Sequence, residues 1–486
     1  MRTSNVYPLI FVIAWSFLVH WPGIHSPLKD YQAYRQCQTA SMARNYLRHG
    51  MHFLQSELET EGPPARANTE FPIYSYLLAG LYKLFGIHEI LGRLLSCVFA
   101  AWGAVFLFLF VRPRLGGQIA LWSALVMCSI PVHVYFTRTV QPEPMALWGL
   151  LGFLYYADVW LNRYGTLGSW CLAAILGSIA SLLKLPYLYL LAPLWFFLGY
   201  ERLGLRCLRT FHWVALLAVM LGLTEAWYAY AKTAPAIILP LTLHEQLLNL
   251  APILTTRLWR AQFISRLPEI VTTYSGLFFA VIGVYFFRRA KSSPFFLIWI
   301  GLSVVYVALL GEYGLVHRYT LLPLAPIAAV WIAAGISVSL GYVDTYKLLA
   351  VFVLILIVGI PIHAAFRIKH WYRLEYLYMT DAHDVLAKVS KPNDLVVVLT
   401  HDKPVYLYFL DHFGYALEPS VWQVSDLDRM ASLGVRFIFI PVEDNRQRLP
   451  ELKTALAHRA VTIKADPDYW LYRIVESEPS HPGVKS

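Results

Sequence analysis

Apolar windows of about twenty residues recur along most of this chain, and they constrain its fold more than anything else in it. A bilayer's hydrocarbon core is about 30 Å thick, which a helix crosses in roughly 20 residues. The windows fall at about 6–24, 90–111, 118–136, 144–161, 169–183, 186–200, 211–231, 271–287, 294–310, 319–340 and 348–366. A further apolar piece at 72–85 has 14 residues and is too short to cross comfortably. Segments of that length lie at the interface or re-enter. Of 486 residues, 58% are hydrophobic and 14% charged, against roughly 25% charged in a soluble domain. The fold class expected is therefore an α-helical polytopic membrane protein with about 11 spans.

The basic residues orient the threading. With the N-terminus in the cytoplasm, the inward connections carry Arg112 and Arg114, then Arg163, then Arg202, Arg206 and Arg209, then Arg288, Arg289 and Lys291, then Lys347. The short outward connections carry one arginine each, Arg138 and Arg318. This asymmetry follows the positive-inside rule and would reverse if 72–85 crossed. The net charge of +10 sits in these loops and forms no basic stripe on a soluble face, so it does not indicate nucleic acid. The first window follows Arg2 and resembles a signal peptide. It lacks an evident small-x-small cleavage site and reads as an uncleaved first span. Of the five cysteines, four lie in or beside apolar segments and Cys37 in a polar loop, and no CxxC pair occurs. That is neither a disulfide framework nor a zinc motif.

After about residue 368 the pattern changes. Apolar runs become short (395–399, 435–440, 469–474), with helix-like stretches at 381–389 and 425–433. Strands alternating with helices predict a small α/β domain. The expected domains are thus 1–368, a membrane domain with a long first outer loop at 25–89, and 369–486, an extracytoplasmic α/β domain. Neither a GxGxxG motif nor a P-loop is present, so no nucleotide site is expected.

Charged residues near the membrane are costly and need a reason. Here several converge on the outer side: Asp30 after the first span, Arg138 and Glu143 around one outer connection, Lys184 at the outer end of 169–183, and His317 with Arg318 at the start of 319–340. The bland alternatives are specific. Asp30 could cap a helix at about 31–47, Glu143 could cap the span beside Pro144, Lys184 could snorkel, Arg318 could anchor the interface, and Glu70 could orient the piece at 72–85.

The segment Asp30-Tyr-Gln-Ala-Tyr-Arg-Gln-Cys-Gln-Thr-Ala-Ser-Met-Ala-Arg-Asn45 resembles the first outer loop of the GT-C membrane glycosyltransferases, in particular the protein O-mannosyltransferase and aminoarabinose-transferase group. Thr69-Glu-Phe-Pro-Ile-Tyr-Ser-Tyr-Leu77, Phe85-Gly-Ile-His-Glu-Ile-Leu-Gly-Arg-Leu-Leu95, Arg138-Thr-Val-Gln-Pro-Glu-Pro-Met145, Leu183-Lys-Leu-Pro186 and Arg318-Tyr-Thr-Leu-Leu-Pro323 also fit, in order, over about 6–340. The resemblance implies inverting transfer of a sugar from a polyprenyl-phosphate carrier, and it places the acidic residue at Asp30 near the acceptor. The group often has Asp-Glu there, whereas this chain has Asp30-Tyr31. A second carboxylate could come from Glu143.

Chemistry gives these residues roles. An acceptor hydroxyl needs a base, expected at Asp30. The departing phosphate needs charge stabilisation, expected from Lys184, Arg318 and Tyr319. Glu143 is expected to join Asp30 in catalysis or to position the acceptor or sugar. Glu70, Arg138 and His317 are expected to line the substrate site. A divalent metal is an alternative to the cations, although His317 and the scattered carboxylates form no recognisable ligand pattern. The expected partners are a polyprenyl-phosphate-linked sugar donor, a lipid, glycan or protein acceptor, and membrane lipids. The expected location is a bacterial inner membrane, with the C-terminal domain in the periplasm; an endoplasmic-reticulum membrane would give the same threading. The rival function is a transporter or flippase of a lipid-linked saccharide, whose marks are inverted repeats and helices interrupted at midplane. A non-catalytic member of a polysaccharide-assembly complex is a third reading.

Overall fold

The computed structural model describes residues 6–64, 66–68, 70–162, 165–233, 236–237, 259–287, 293–343, 346–401, 403–420 and 422–475. Arg163, Arg288, Arg289 and Lys291 of the basic connections, and Thr69 of the quoted motifs, lie outside the described residues. The chain divides into two compact units. One contains residues 1–26, 69–233 and 238–373; the other contains 27–68, 234–237 and 374–486.

The first unit is helical, and each of the eleven apolar windows coincides with helix: Val6–His20, Glu89–Leu115, Gly117–Ser129 with Pro131–Phe136, Glu143–Asn162, Leu167–Leu183, Leu188–Leu203, Phe211–Ala231, Tyr274–Phe287, Ser293–Val316, Ala325–Leu340 and Lys347–Ile368. The piece at 72–85 is also helical, Ile73–Phe85. Among the described residues, five helices are long and apolar enough to cross a membrane, or up to six if the bent pair Arg260–Thr272 and Tyr274–Phe287 is one span. The window at 118–136 is not one straight helix. Ile130 is extended (φ −83°, ψ 147°) before Pro131, since a proline disfavours helical backbone in the residue that precedes it. The helix Lys347–Ile368 leaves Val351, Leu354, Ile355, Ile362 and Phe366 exposed, an apolar face suited to lipid.

Packing within this unit relies on close backbone approach. Ala325–Leu340 packs along Tyr274–Phe287. A Cβ on Gly283 would strike the Trp331 carbonyl, and one on Gly335 would overlap the Phe279 carbonyl. In a membrane, helix association rests on such van der Waals contact because lipid is as apolar as leucine.

The second unit is built on a six-stranded sheet of β1 (Glu61–Gly62), β4 (Leu395–Leu399), β5 (Gly414–Leu417), β6 (Val435–Pro441), β7 (Ala460–Ala465) and β8 (Tyr469–Ile474), in the order β1-β5-β4-β6-β8-β7. Strands β4, β5 and β6 are parallel, while β8 and β7 extend the sheet antiparallel and β1 pairs antiparallel with β5. A two-residue pair, β2 (Ala67–Asn68) and β3 (Ala236–Ile237), stands apart. All five residues of β4 are buried, as expected of a central parallel strand covered on both faces. Val397 and Leu399 enter one core with Trp422, Ile438 and Leu452; Val396 and Val398 enter the other with Leu386, Leu407 and Phe439. The segment 27–68 packs with the C-terminal residues through β1 and through the helix Ala33–His49, whose Arg44 pairs with Asp411 at 2.9 Å.

Candidate functional site

Three interruptions in apolar helices bring charge together in the first unit. The helix Leu167–Leu183 stops before Lys184, which is extended (φ −143°, ψ 97°) ahead of a 3-10 turn at Leu185–Tyr187. Pro186 in that turn has no N–H with which to continue the helix. The helical stretch Ser293–Val316, itself kinked at Gly311 (φ 51°, ψ −134°), stops at His317 (φ −105°, ψ 88°), and a 3-10 segment, Arg318–Leu324, follows. Glu143 begins the helix Glu143–Asn162, where the helix dipole favours a negative charge.

These breaks, with Glu70 ahead of the helix Ile73–Phe85, form one cluster. The Lys184 Nζ donates to Glu70 Oε1 at 2.7 Å and lies 2.6 Å from Glu143 Oε1. The Glu143 side chain is 2% exposed and that of Lys184 11%. Lys184 therefore does not simply snorkel, and Glu143 does more than begin a helix. The ammonium also lies 5.4 Å from the centroid of the Tyr319 ring. The Tyr319 hydroxyl is 3.1 Å from that of Tyr313, and the His317 ring packs against both Tyr313 and Tyr319 at 4.4 and 5.3 Å. Tyr187, Tyr228 and Tyr306 complete an aromatic lining around a void of about 30 Å³, room for roughly one water.

Four of the sequence-derived site residues thus line one pocket: Glu70, Glu143, Lys184 and Tyr319. His317 adjoins it through its rings. Arg318 lies 5.7 Å from the Trp371 ring. Arg138 is fully buried, donates to the Gly23 carbonyl at 2.7 Å, and lies 4.9 and 4.3 Å from the Tyr135 and Tyr372 rings. It is not part of the pocket lining.

Asp30 belongs to the second unit and is fully buried. The helix that follows begins at Ala33, after Gln32 in left-handed backbone (φ 66°), and the Gln32 side chain makes no cap bond. The Asp30 carboxylate accepts a 2.6 Å hydrogen bond from the Gln36 amide, one turn into the helix. Of the lining tyrosines, Tyr319 is marked by the sequence, whereas Tyr187, Tyr228, Tyr306 and Tyr313 are not. A usable signal existed: Tyr313 lies four residues before His317, and Tyr187 directly follows Leu-Lys-Leu-Pro. Among the described residues, no three His, Cys, Asp or Glu side chains come together in a way that could hold a metal ion.

The family model described as dolichyl-phosphate-mannose-protein mannosyltransferase matches residues 67–229. That stretch contains Glu70, Arg138, Glu143 and Lys184. No curated protein sequence matches the chain. Among solved structures, the oligosaccharyltransferase AglB from Archaeoglobus fulgidus, in complex with an inhibitory peptide and a dolichol-phosphate, is similar at 12% identity and TM-score 0.65, covering 91% of this chain and 70% of that one. ArnT from Cupriavidus metallidurans bound to undecaprenyl phosphate is similar at 13% identity and TM-score 0.59, covering 98% of this chain and 99% of that one. The arabinofuranosyltransferase AftD from Mycobacteria is similar at 13% identity and TM-score 0.57, covering 96% of this chain and 41% of that one. The chain has the fold these proteins share, with helices apolar enough to cross a membrane.

Proposed function

We propose that this chain transfers a sugar from a polyprenyl-phosphate carrier to a hydroxyl of a lipid, glycan or protein acceptor, with inversion at the anomeric carbon. The observation that carries this reading is the buried Glu70–Lys184–Glu143 cluster with its ring of tyrosines, set at helix breaks in a GT-C fold. Two of the similar structures hold a polyprenyl phosphate or dolichol-phosphate, which supports a carrier of that chemistry here.

In the proposed reaction the acceptor oxygen attacks the anomeric carbon as its proton passes to the Asp30 carboxylate. The bond from that carbon to the carrier's phosphate oxygen breaks, and its electron pair stays on the phosphate. Lys184, Arg318 and the Tyr319 hydroxyl stabilise the charge that develops there. Glu143 orients Lys184 and the sugar. Glu70 holds the same ammonium from its other side, and His317 packs the Tyr313–Tyr319 pair in place. Arg138 supports the substrate site from behind through its stacking on Tyr135 and Tyr372. The threading that suits this reaction has eleven spans, a cytoplasmic N-terminus, and a C-terminal domain in the periplasm of a bacterial inner membrane.

The test is transfer of label by protein in nanodiscs, from a panel of radiolabelled polyprenyl-phosphate sugars to membrane lipid and glycan extracts, with Asp30→Asn in parallel. Label moved by the wild type and lost in Asp30→Asn supports the reading and identifies the sugar. If folded wild type moves no label while an authentic transferase works alongside, the transferase reading is lost and carrier translocation is the next assay.

A further inference from the structure

The second unit contains a groove of about 730 Å³ that the proposed transfer chemistry does not use. That volume is in the range of small-molecule sites. It runs past Leu395, Phe413 and Gly434, which begin or directly precede β4, β5 and β6, so it crosses the N-terminal edge of the three parallel strands. Its polar lining includes Arg48, His49, His383, Lys391 and Asp411.

The charges do not cancel. Asp411 is the one carboxylate among the groove's described lining residues. It is already engaged by Arg48 through two 2.8 Å hydrogen bonds and by Arg44 at 2.9 Å. Lys391 stands exposed on the loop before β4, and its ammonium enters no ion pair among the described residues. His383 lies on the helix Met379–Ala387, and its buried Nδ1 has no hydrogen-bond partner among the described residues. The imidazole also lines the groove, and no hydrogen bond at Nδ1 fixes its orientation. Phe413 is half-buried and packs with His49 at 5.5 Å, giving the groove an apolar ring face between polar walls. A sugar ring presents the complementary pattern, with C–H groups on its face and hydroxyls at its edge.

We propose that this groove binds an anionic saccharide, a sugar bearing a phosphate or carboxylate, through Lys391 and His383 with the ring against Phe413. As the place that holds the acceptor, it rests on the transferase reading; as a binding site, it stands alone.

The experiment is calorimetric titration of the full-length protein, in nanodiscs of neutral lipid, with glucose 6-phosphate, glucuronate, glucose and inorganic phosphate. The expected result is saturable binding of at least one anionic sugar, with glucose and inorganic phosphate weaker by about tenfold or more, the scale of one charge-assisted hydrogen bond. The preferred anion tells whether phosphate or carboxylate is the natural group. Lys391→Glu is expected to weaken binding by about tenfold, and His383→Gln is expected to weaken it as well. Lys453→Glu makes the same charge change on an exposed position outside the groove and should leave the affinity within about twofold. Equal binding of glucose, equal binding of bare phosphate, or equal effects of the two lysine variants would overturn the proposal. No donor is present, so the outcome does not depend on whether transfer is ever seen.

Discussion

Lys184 is the residue on which the candidate site turns. It lies between two carboxylates in a nearly dry environment, so removing its charge leaves Glu143 buried without its cation. Breaking a buried pair from one side costs about 3–5 kcal/mol. Lys184→Met should therefore lower unfolding stability by that order and also abolish transfer. Adding Glu143→Gln removes the stranded charge. The double variant should regain much of the stability, measured by denaturant unfolding in detergent, and still transfer nothing. Equal losses in the single and double variants would mean that the pair is not coupled. At this scale the sequence was informative about charge and poor on aromatics. Glu70, Glu143 and Lys184 stood out because ions are rare near apolar windows. Tyr187, Tyr228 and Tyr306 did not, because the chain has 31 tyrosines and most in such a protein serve the interface.

At the scale of elements, two contacts are testable. The helices Tyr274–Phe287 and Ala325–Leu340 approach so closely that Gly335 has no room for a methyl group. Gly335→Ala should force them apart at a cost of about 1–3 kcal/mol. Gly222 is also helical but faces open space, and Gly222→Ala should be neutral or stabilise by about 0.5–1 kcal/mol. Thermal melts of both variants decide whether contact or helix propensity matters. In the second unit, the helix Ala33–His49 is tied to Asp411 by Arg44 and Arg48. Burial alone would raise the Asp411 carboxyl; the Arg48 hydrogen bond and the Arg44 and Arg48 charges outweigh it, leaving the group below its ordinary range. A depressed carboxylate contributes stability that is complete above its unfolded value of about 3.9 and is lost as pH falls through the lower folded value. Asp411→Asn should thus speed hydrogen exchange across 33–49 at neutral pH, and its difference from wild type should close as pH falls through the lowered folded value. A gap that persists in acid would mean that the aspartate acts by shape. None of this tie was legible in the sequence. Arg44 and Asp411 are 367 positions apart, and no periodicity signals such a pair. The strands β4, β6 and β8 were legible because they are short apolar runs, while β5 and β7 are too short or too polar to stand out.

For the whole molecule, the hydropathy pattern located the helices well because each one must satisfy its own backbone in lipid. It could not reveal where those helices bend. Ile130 before Pro131 and the turn after Thr272 are local events inside windows that look continuous in composition. Nor could it show that residues 27–68 pack with the C-terminal segment. The side on which each loop lies rests on charge asymmetry, and it can be checked independently of any activity. Among the native cysteines only Cys171 is not fully buried, so a Cys171→Ser background should react little with a membrane-impermeant maleimide. Arg206→Cys then reports the exposed connection Gly204–Arg209, and Lys453→Cys reports the exposed surface of the C-terminal unit. With the N-terminus inside, right-side-out vesicles should label Lys453→Cys at once and Arg206→Cys only after permeabilisation. The reverse pattern would invert the threading. Labelling of both from one side would mean that an even number of spans, not an odd one, separates residue 206 from residue 453. Either failure would move the proposed reaction to another face of the membrane or remove a crossing between these two markers, and so the count of spans and the side of the chemistry stand or fall on the same pair of cysteines.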